Sequence, residues 1–211
     1  MKIDLYADIS CPWCLLGHHR LDRVLAKRFP DLKTDVEHQV ALLSPDCPPE
    51  GIDIGDIMRA RGLDPAAIRA RPEAEARSMG LALELQHQPR LYPTLRGHTL
   101  IRLARQRGTQ HALARALAEA NFAGRNINDI ETLADIAAAH GFMREEATRL
   151  VQDDAELGIT RQAAEATAAK GIRSVPHFIF NGTVSFSGNQ GEENFVAAIE
   201  QAMGIAGIAA R

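Results

Sequence analysis

The sequence predicts an α/β protein whose strand patterns lie at the two ends of the chain, with a long helical segment between them. Three observations support this fold class. An extended run at residues 3–6 leads directly into a helix pattern that contains two cysteines. Helical periodicity then dominates residues 44–153, and strand patterning returns after residue 171. We therefore expect a sheet built from both ends of the chain.

Composition limits the classes of function that need to be considered. The 211 residues with 45% hydrophobic content can bury a core in one domain, or in one domain with a sizeable insertion. A net charge of −3, with acids and bases interspersed, does not indicate nucleic acid or an anionic membrane as partner. The apolar runs are shorter than a membrane span, and the first residues do not have the pattern of a signal peptide. We expect a cytoplasmic location.

The first candidate site is the Cys-Pro-Trp-Cys sequence at residues 11–14. Pro12 suits the first position of a helix, which places Cys11 at the helix N-terminus. Free backbone amides and the helix dipole stabilise an anion there, so the pKa of Cys11 is expected to be lowered and its thiolate favoured as a nucleophile. Cys14, one turn further along, could attack a mixed disulfide formed on Cys11. The pattern predicts a redox-active dithiol.

A zinc site and simple packing are the alternatives for these cysteines. His18 extends the spacing to Cys-x2-Cys-x3-His, which is half of a zinc-binding pattern. A second CxxC or compact Cys/His pair does not follow, and the remaining cysteine, Cys47, stands in a proline-rich loop. We therefore favour the redox interpretation and predict no metal.

The elements between the two ends are predicted from periodicity and from Gly and Pro positions. The cysteine-containing helix is expected at residues 12–29 with Cys14, His18 and Leu21 on its buried face, and a second strand at residues 34–43. A break near Arg71-Pro72 is expected in a later helix. The other predicted elements are helices at residues 52–61, 65–79, 94–107, 111–123, 129–140, 144–152 and 154–170, with a short extended piece at 81–85.

The C-terminal part predicts a hairpin followed by a closing helix. A strand through residues 172–180 contains Pro176 near its start, and Asn181-Gly182 is a strong hairpin turn signal. A partner strand at residues 183–186, a loop at 187–190 and a helix at 192–203 follow. This order is that of the thioredoxin fold with an all-helical domain inserted after the second strand. The predicted domains are a thioredoxin-like domain, residues 1–43 and 154–211, and a helical insertion domain, residues 44–153.

Three motifs resemble a known family. They are DISCPWCLLG at residues 8–17, GIRSVPHF at 171–178 and SGNQ at 187–190. The chain resembles, over essentially its whole length, the DsbA-like thiol–disulfide oxidoreductases. Within them it is similar to the FrnE-type branch, which is related to 2-hydroxychromene-2-carboxylate isomerase and kappa-class glutathione transferase.

The resemblance implies a role for several residues. Cys11 would be the attacking thiol, Cys14 the resolving thiol, and Pro176 a cis-proline that packs opposite the dithiol. His18 and His177 are candidate modulators, and His177 could face either the core or the dithiol. The implied substrate-binding residues are Pro12, Trp13, Val175, Ser187, Gly188 and Gln190.

Thiol–disulfide exchange requires no cofactor, although the resemblance makes glutathione a candidate co-substrate. The expected partner is a protein or small molecule that carries a thiol or a disulfide. A glutathione-dependent isomerase or transferase is the alternative within the family, but those relatives typically have serine where Cys11 stands. They also tend to have Asn-Thr before the helical histidine, whereas this chain has Tyr92-Pro93-Thr94 before His98. A non-enzymatic zinc-binding or holdase module is the second alternative.

Overall fold

The computed structural model describes residues 1–204 and contains a four-stranded mixed sheet in the order β2-β1-β5-β6. Strand β1 pairs in parallel with β2 and antiparallel with β5, and β6 pairs antiparallel with β5. The strands are β1 (Lys2–Ala7), β2 (Asp35–Val40), β3 (Ile52–Asp53), β4 (Arg90–Leu91), β5 (His177–Phe180) and β6 (Val184–Ser187). The helices are α1 (Pro12–Arg28), α2 (Ile54–Ala60), α3 (Pro65–Ser78), α4 (Leu95–Ala104), α5 (Gln110–Phe122), α6 (Ile130–Ala138), α7 (Arg144–Leu150), α8 (Asp154–Ala169) and α9 (Glu192–Ala202). The predicted α/β thioredoxin fold with a helical insertion is confirmed.

One face of the sheet forms the core with α1 and α9. Alternate residues of a strand point to the same face, which explains why Ile3 and Leu5 of β1 are buried beside Phe178 and Phe180 of β5. Phe195 of α9 packs edge-on against Phe178, with the ring centroids 4.9 Å apart. The two cysteines belong to this same cluster, so the core of the sheet supports the start of α1 directly.

The helical segment contains two apolar clusters, and each also includes residues from the first 16 positions of the chain. Ile9, from the turn after β1, is buried among residues of α4, α5 and α6. Leu15 and Leu16 of α1 pack with Phe122 of α5 and with Leu83 from the loop after α3. The turn that precedes Cys11 and the first turns of α1 are therefore held by the helical segment as well as by the sheet.

Helix α8 packs against both β2 and α4. It thus touches the sheet and the helical segment, between which the sequence places a boundary at residues 153/154. That boundary and the one at 43/44 stay a prediction. Residues 205–211 of the predicted thioredoxin-like domain lie outside the described residues.

The turn between β5 and β6 has the geometry expected of Asn-Gly. Both central residues are left-handed, with φ of 48° at Asn181 and 70° at Gly182. A hydrogen bond from Thr183 N–H to Phe180 O at 3.1 Å closes the turn, and residues 181–183 connect the paired strand ends at Phe180 and Val184. The Asn181 side chain also accepts a hydrogen bond from Lys2 N–H and donates one to Ala202 O, at 3.0 Å each.

Three expectations about the helical segment are wrong. The helix expected to break near Arg71-Pro72 is continuous through α3, and the ring of Pro72 is buried. Residues 81–85 do not form the expected extended piece: Leu83 is buried in an irregular stretch before a short 3-10 turn. Ile52 and Asp53 belong to a two-residue strand rather than to the expected helix, because they pair with Arg90–Leu91.

Among residues 1–204, no helix is both long and apolar enough to cross a membrane.

Candidate active site

Cys11 lies where the sequence places it, at the N-cap of α1, with Pro12 as the first helical residue. Its backbone N–H donates to Asp8 O at 3.1 Å, which closes the turn before the helix. The Cys11 side chain is 5% exposed, and its Sγ lies 3.9 Å from the carbonyl oxygen of Val175. The thiol therefore sits between the helix N-terminus and the segment that leads into β5.

Cys14 lies one turn further into the helix and is fully buried. Its backbone N–H donates to Cys11 O at 3.0 Å. Both cysteines are free thiols in this structure. Burial, and then the neighbouring Cys11 sulfur, raise the pKa of Cys14 well above its usual value. Cys14 thus has the properties of a protected thiol beside a less buried one.

The Val175–Pro176 peptide bond is cis, and Pro176 is buried against α1. The close approach depends on Gly17. A Cβ atom at position 17 would lie 3.1 Å from Pro176 Cγ and 3.1 Å from Phe178 Cζ. The absence of a side chain at Gly17 is what lets the proline ring and the dithiol helix come together.

Gly17→Ala is expected to destabilise the protein by about 1 kcal/mol. Alanine in a helix interior is favoured over glycine by about 1 kcal/mol. Overpacking a tight contact costs about 1–3 kcal/mol and prevails here, because both neighbours are buried rings. Gly158→Ala in α8 is the matched control: its Cβ would meet nothing within 4 Å, so this variant should be stabilised. The free energy of unfolding in urea measures both, and a stabilised Gly17→Ala variant would contradict the packing argument.

The loop at residues 187–190 is joined to Pro176. Gly188 N–H donates to Pro176 O at 2.7 Å. The side chains of the loop bond mostly within it: Gln190 Nε2 donates to Ser187 O at 3.0 Å, and Asn194 Nδ2 donates to Gln190 Oε1 at 2.7 Å. Of the residues implied to bind substrate, Gly188 is thus placed next to the proline segment. Ser187 and Gln190 bond to their own loop and to its neighbours.

His177 lies on the face of the sheet opposite the thiols. It alternates with Phe178, which belongs to the same cluster as the cysteines, so the two side chains point in opposite directions. His177 Nδ1 is 2.6 Å from Ser187 Oγ, and its ring packs 5.8 Å from that of Tyr6. The side chain thus points away from the dithiol, and it is half-buried rather than part of the cluster that contains Phe178 and the cysteines.

His18 is buried on α1, but it meets two other histidines rather than a cysteine. Its ring centroid is 5.0 Å from that of His38 on β2 and 5.8 Å from that of His111 on α5. His38 Nε2 and His111 Nδ1 are 2.7 Å apart, and His111 Nε2 is 2.7 Å from Asp22 Oδ1. Periodicity predicts the burial of His18, but its partners come from distant parts of the chain.

Trp13 is half-buried and packs against the sheet core and against the cluster around Leu83.

Cys47 is also half-buried, and its Sγ lies 3.3 Å from Leu91 O, beside the short β3–β4 pair. Within residues 1–204, no group of three or more His, Cys, Asp or Glu side chains is arranged to hold a metal ion.

Two residues absent from the sequence-based candidates hold the site together. Asp8 is 2% exposed and binds the turn before Cys11. Arg20 of α1 is also buried, and it donates to Gln190 O at 2.7 Å, to the Asn189 side chain, and to Glu75 of α3. Asp8 stands within the DISCPWC motif, which is a signal that could have identified it. Arg20 could not be identified in this way, because it is buried by contacts with α3 and with the loop at 187–190, which are distant in sequence.

The DSBA-like thioredoxin domain family model matches residues 2–200. The chain belongs to this family. A search of curated proteins found no match. Among solved structures, a probable DsbA oxidoreductase from Streptomyces coelicolor is similar, with 28% sequence identity and a TM-score of 0.85. That comparison covers 100% of this chain and 93% of the other.

Two further members of the structural neighbourhood share the fold at lower identity. The first is a 2-hydroxychromene-2-carboxylate isomerase, with 17% identity, a TM-score of 0.69, and coverage of 97% of this chain and 95% of that chain. The second is the cytosolic disulfide reductase DsbM from Pseudomonas aeruginosa, with 15% identity, a TM-score of 0.66, and coverage of 98% and 100%. The resemblance to DsbA-like proteins inferred from the motifs is confirmed.

Proposed function

We propose that this protein is a thiol–disulfide oxidoreductase in which Cys11 and Cys14 form the redox pair. The observation that carries the proposal is the placement of the two thiols. Cys11 caps α1 and faces the Val175 carbonyl, while Cys14 is buried one turn behind it. A nucleophilic thiol with a resolving thiol in reach is the minimum that disulfide exchange requires.

Exchange with a disulfide substrate takes two steps. The Cys11 thiolate attacks one sulfur of the substrate, so a Cys11–substrate bond forms, the substrate disulfide breaks, and the leaving sulfur takes up a proton. Cys14 then loses its proton and attacks the Cys11 sulfur, which forms the Cys11–Cys14 disulfide and releases the second substrate thiol. The substrate gains two electrons and the protein loses them; oxidation of a dithiol is the reverse.

The electrostatics of the pair support this order. Cys11 stands at the N-cap of α1, whereas burial and the Cys11 sulfur raise the pKa of Cys14. Once Cys11 is bound to a substrate it no longer carries a charge, so its opposition to Cys14 ionisation disappears. Cys14 is thus disfavoured as the first nucleophile and becomes able to react in the second step.

The segment beside Cys11 is the proposed substrate contact. Val175 is half-buried and presents its carbonyl oxygen towards the Cys11 sulfur, so an extended substrate chain could pair with this backbone. Pro12 and the half-buried Trp13 flank the thiol on the helix side. Gly188 N–H donates to Pro176 O, which links the loop at 187–190 to the segment that contains Val175.

We propose that the exchange uses no bound cofactor and that glutathione serves as a co-substrate that returns the pair to the dithiol state. One solved structure of DsbM contains GSH, and that protein shares the fold. DsbM is also described as cytosolic, which supports a cytoplasmic location as a proposal for this chain. The proposed partners are thiol- or disulfide-bearing proteins or small molecules.

Reduction of insulin with glutathione as electron donor tests the function. We expect the wild-type protein to accelerate insulin reduction and Cys11→Ser to lose that acceleration, because serine cannot form the mixed disulfide. The fold shared with 2-hydroxychromene-2-carboxylate isomerase gives the test a second arm. A Cys11→Ser protein that isomerises 2-hydroxychromene-2-carboxylate in the presence of glutathione, together with a wild type that is inactive on insulin, would replace the proposal with glutathione-dependent isomerase chemistry.

A further inference from the structure

The carboxylate of Asp8 is buried three residues before Cys11, and Asp8 anchors the turn that carries Cys11. Asp8 Oδ1 accepts a hydrogen bond from Ser10 N–H at 3.1 Å, and Oδ2 accepts one from Leu43 N–H at 2.7 Å. The carbonyl oxygen of the same residue accepts from Cys11 N–H. Asp8 thus closes the turn before α1 and links this turn to the segment after β2.

The third neighbour of this carboxylate comes from the helical segment. His98 of α4 is 4% exposed, and its Nε2 lies 3.6 Å from Asp8 Oδ1. That distance is too long for a direct hydrogen bond, and Nε2 has no other hydrogen-bond partner among residues 1–204. The carboxylate of Asp8 is therefore the polar group that lies beside this nitrogen of His98. The two side chains interact through their charges rather than through a direct hydrogen bond.

We infer that Asp8 and His98 are positioning residues for thiol exchange: they lock the Cys11 turn onto the helical segment and keep a buried carboxylate close to Cys14. This inference rests on the proposed function and extends it to two residues that do not react themselves. It also gives the helical segment a part in the chemistry, since His98 of α4 lies against the Asp8 carboxylate.

The electrostatics agree with this geometry. Burial by itself would raise the pKa of Asp8, but His98 and the N–H groups of Leu43 and Ser10 together hold it below its usual value. Asp8 is therefore a carboxylate at neutral pH. The Asp8 backbone amide favours the Cys14 thiolate, whereas the Asp8 carboxylate opposes it and helps to keep Cys14 protonated. Three titratable groups sense the charge of Asp8 or His98: Cys14 of α1 and Cys47 after β2 sense Asp8, and His38 on β2 senses His98.

The pH dependence of the second exchange step tests the inference. Cys11 is first loaded with thionitrobenzoate from Ellman's reagent, and the release of that group by Cys14 is followed in stopped flow across pH. Asp8→Asn removes the charge but retains the shape of the side chain. We expect the midpoint of the release profile to fall by about 1 pH unit, because a like charge close to an acid raises its pKa by that order.

Asp22→Asn is the matched control. Asp22 is also an aspartate paired with a histidine, but it is half-buried, faces His111 and Arg115, and lies about two helical turns beyond Cys14 along α1. Its variant should keep the wild-type midpoint. A wild-type midpoint in Asp8→Asn, or an equal shift in both variants, would overturn the inference, since a general effect on stability would move both profiles alike.

A second measurement requires neither turnover nor the Asp8 variant. The carboxyl 13C resonance of Asp8 reports its own ionisation, and His98→Gln leaves every backbone hydrogen bond of Asp8 in place. We expect this variant to raise the titration midpoint of Asp8 by about 1 pH unit, and an unchanged midpoint would overturn the role of His98. The 13C signal does not depend on thiol exchange, so it tests the Asp8–His98 pair even if the protein does not reduce insulin. The insulin assay tests only the proposed function.

Discussion

Cys14→Ser is expected to accumulate as a stable mixed disulfide between Cys11 and its substrate. Serine cannot attack the Cys11 sulfur, so the first step proceeds and the second does not. Turnover of insulin should fall to the uncatalysed level, because each protein molecule reacts once. The trapped complex is visible as a band of higher mass on a non-reducing gel, and it should disappear on addition of dithiothreitol.

Two variants give this result its meaning. Cys11→Ser should form no trapped complex, since the other thiol of the pair, Cys14, is fully buried with a raised pKa. Cys47→Ala should behave as wild type, because Cys47 lies beside Leu91 and outside the dithiol cluster. A trapped complex in Cys11→Ser, or a loss of activity in Cys47→Ala comparable to that in Cys11→Ser, would contradict the assignment of the nucleophile.

Much of the candidate site could be predicted from the sequence because its parts are local. The helix N-cap at Cys11, the following Pro12 and the one-turn spacing to Cys14 all lie in a single stretch of chain. The positions of Asp8 against His98, and of Arg20 against Glu75, could not be predicted. Each of these pairs joins α1 or its turn to the helical segment, and sequence periodicity carries no information about which surface of that segment meets α1.

The second large effect is expected on the pH dependence of protein stability, and it comes from the three histidines packed between α1, β2 and α5. Both ring nitrogens of His18 are buried without a hydrogen-bond partner within the part of the chain that the structure describes. Burial, and then His111, lower the pKa of His18 from 6.5 to about 3. Burial, and then His18, lower the pKa of His38 well below the same value. The folded protein therefore holds both rings neutral, whereas the unfolded chain protonates them near pH 6.5.

The free energy of unfolding should consequently fall as the pH is lowered from about 6.5 towards 3. In this range the unfolded state binds protons that the folded state cannot. Each such histidine contributes a slope of about 1.4 kcal/mol per pH unit. The stability that comes from the neutral rings is fully present above pH 6.5. Asp8, whose pKa is lowered, loses its contribution only at a lower pH, as its carboxylate becomes protonated in the folded state.

His18→Leu tests this origin of the acid sensitivity. In this variant the free energy of unfolding should depend on pH about half as steeply, because only His38 still contributes a slope. The variant should also be more stable at pH 7, because an unpaired buried polar group costs about 1–3 kcal/mol. His87→Leu is the control, since His87 is exposed and remote from this cluster. Urea unfolding at a series of pH values gives the slopes. A His18→Leu protein with the wild-type slope would show that the histidine cluster does not determine acid stability.

The sequence predicted the parts of the fold that depend on residues close together in the chain. The extended run of β1, the Asn181-Gly182 turn and the helix starts are encoded in neighbouring residues; Asp64 and Asp153, for example, each cap a helix with their side chains. The errors come from longer-range effects. Pro72 is accommodated inside α3 because packing of its buried ring outweighs the local preference for a break. The two-residue strands β3 and β4 depend on pairing across a long separation in sequence.

The central claim is that Cys11 and Cys14 form a single redox pair, and an equilibrium titration tests it most directly. The protein is incubated in buffers of defined ratio of reduced to oxidised glutathione, the thiols are alkylated, and the peptides are mapped by mass spectrometry. We predict one transition involving two electrons, in which a Cys11–Cys14 disulfide appears while Cys47 remains alkylated throughout. A protein in which Cys11 and Cys14 stay reduced at every ratio, or in which either of them pairs with Cys47, would contradict the account.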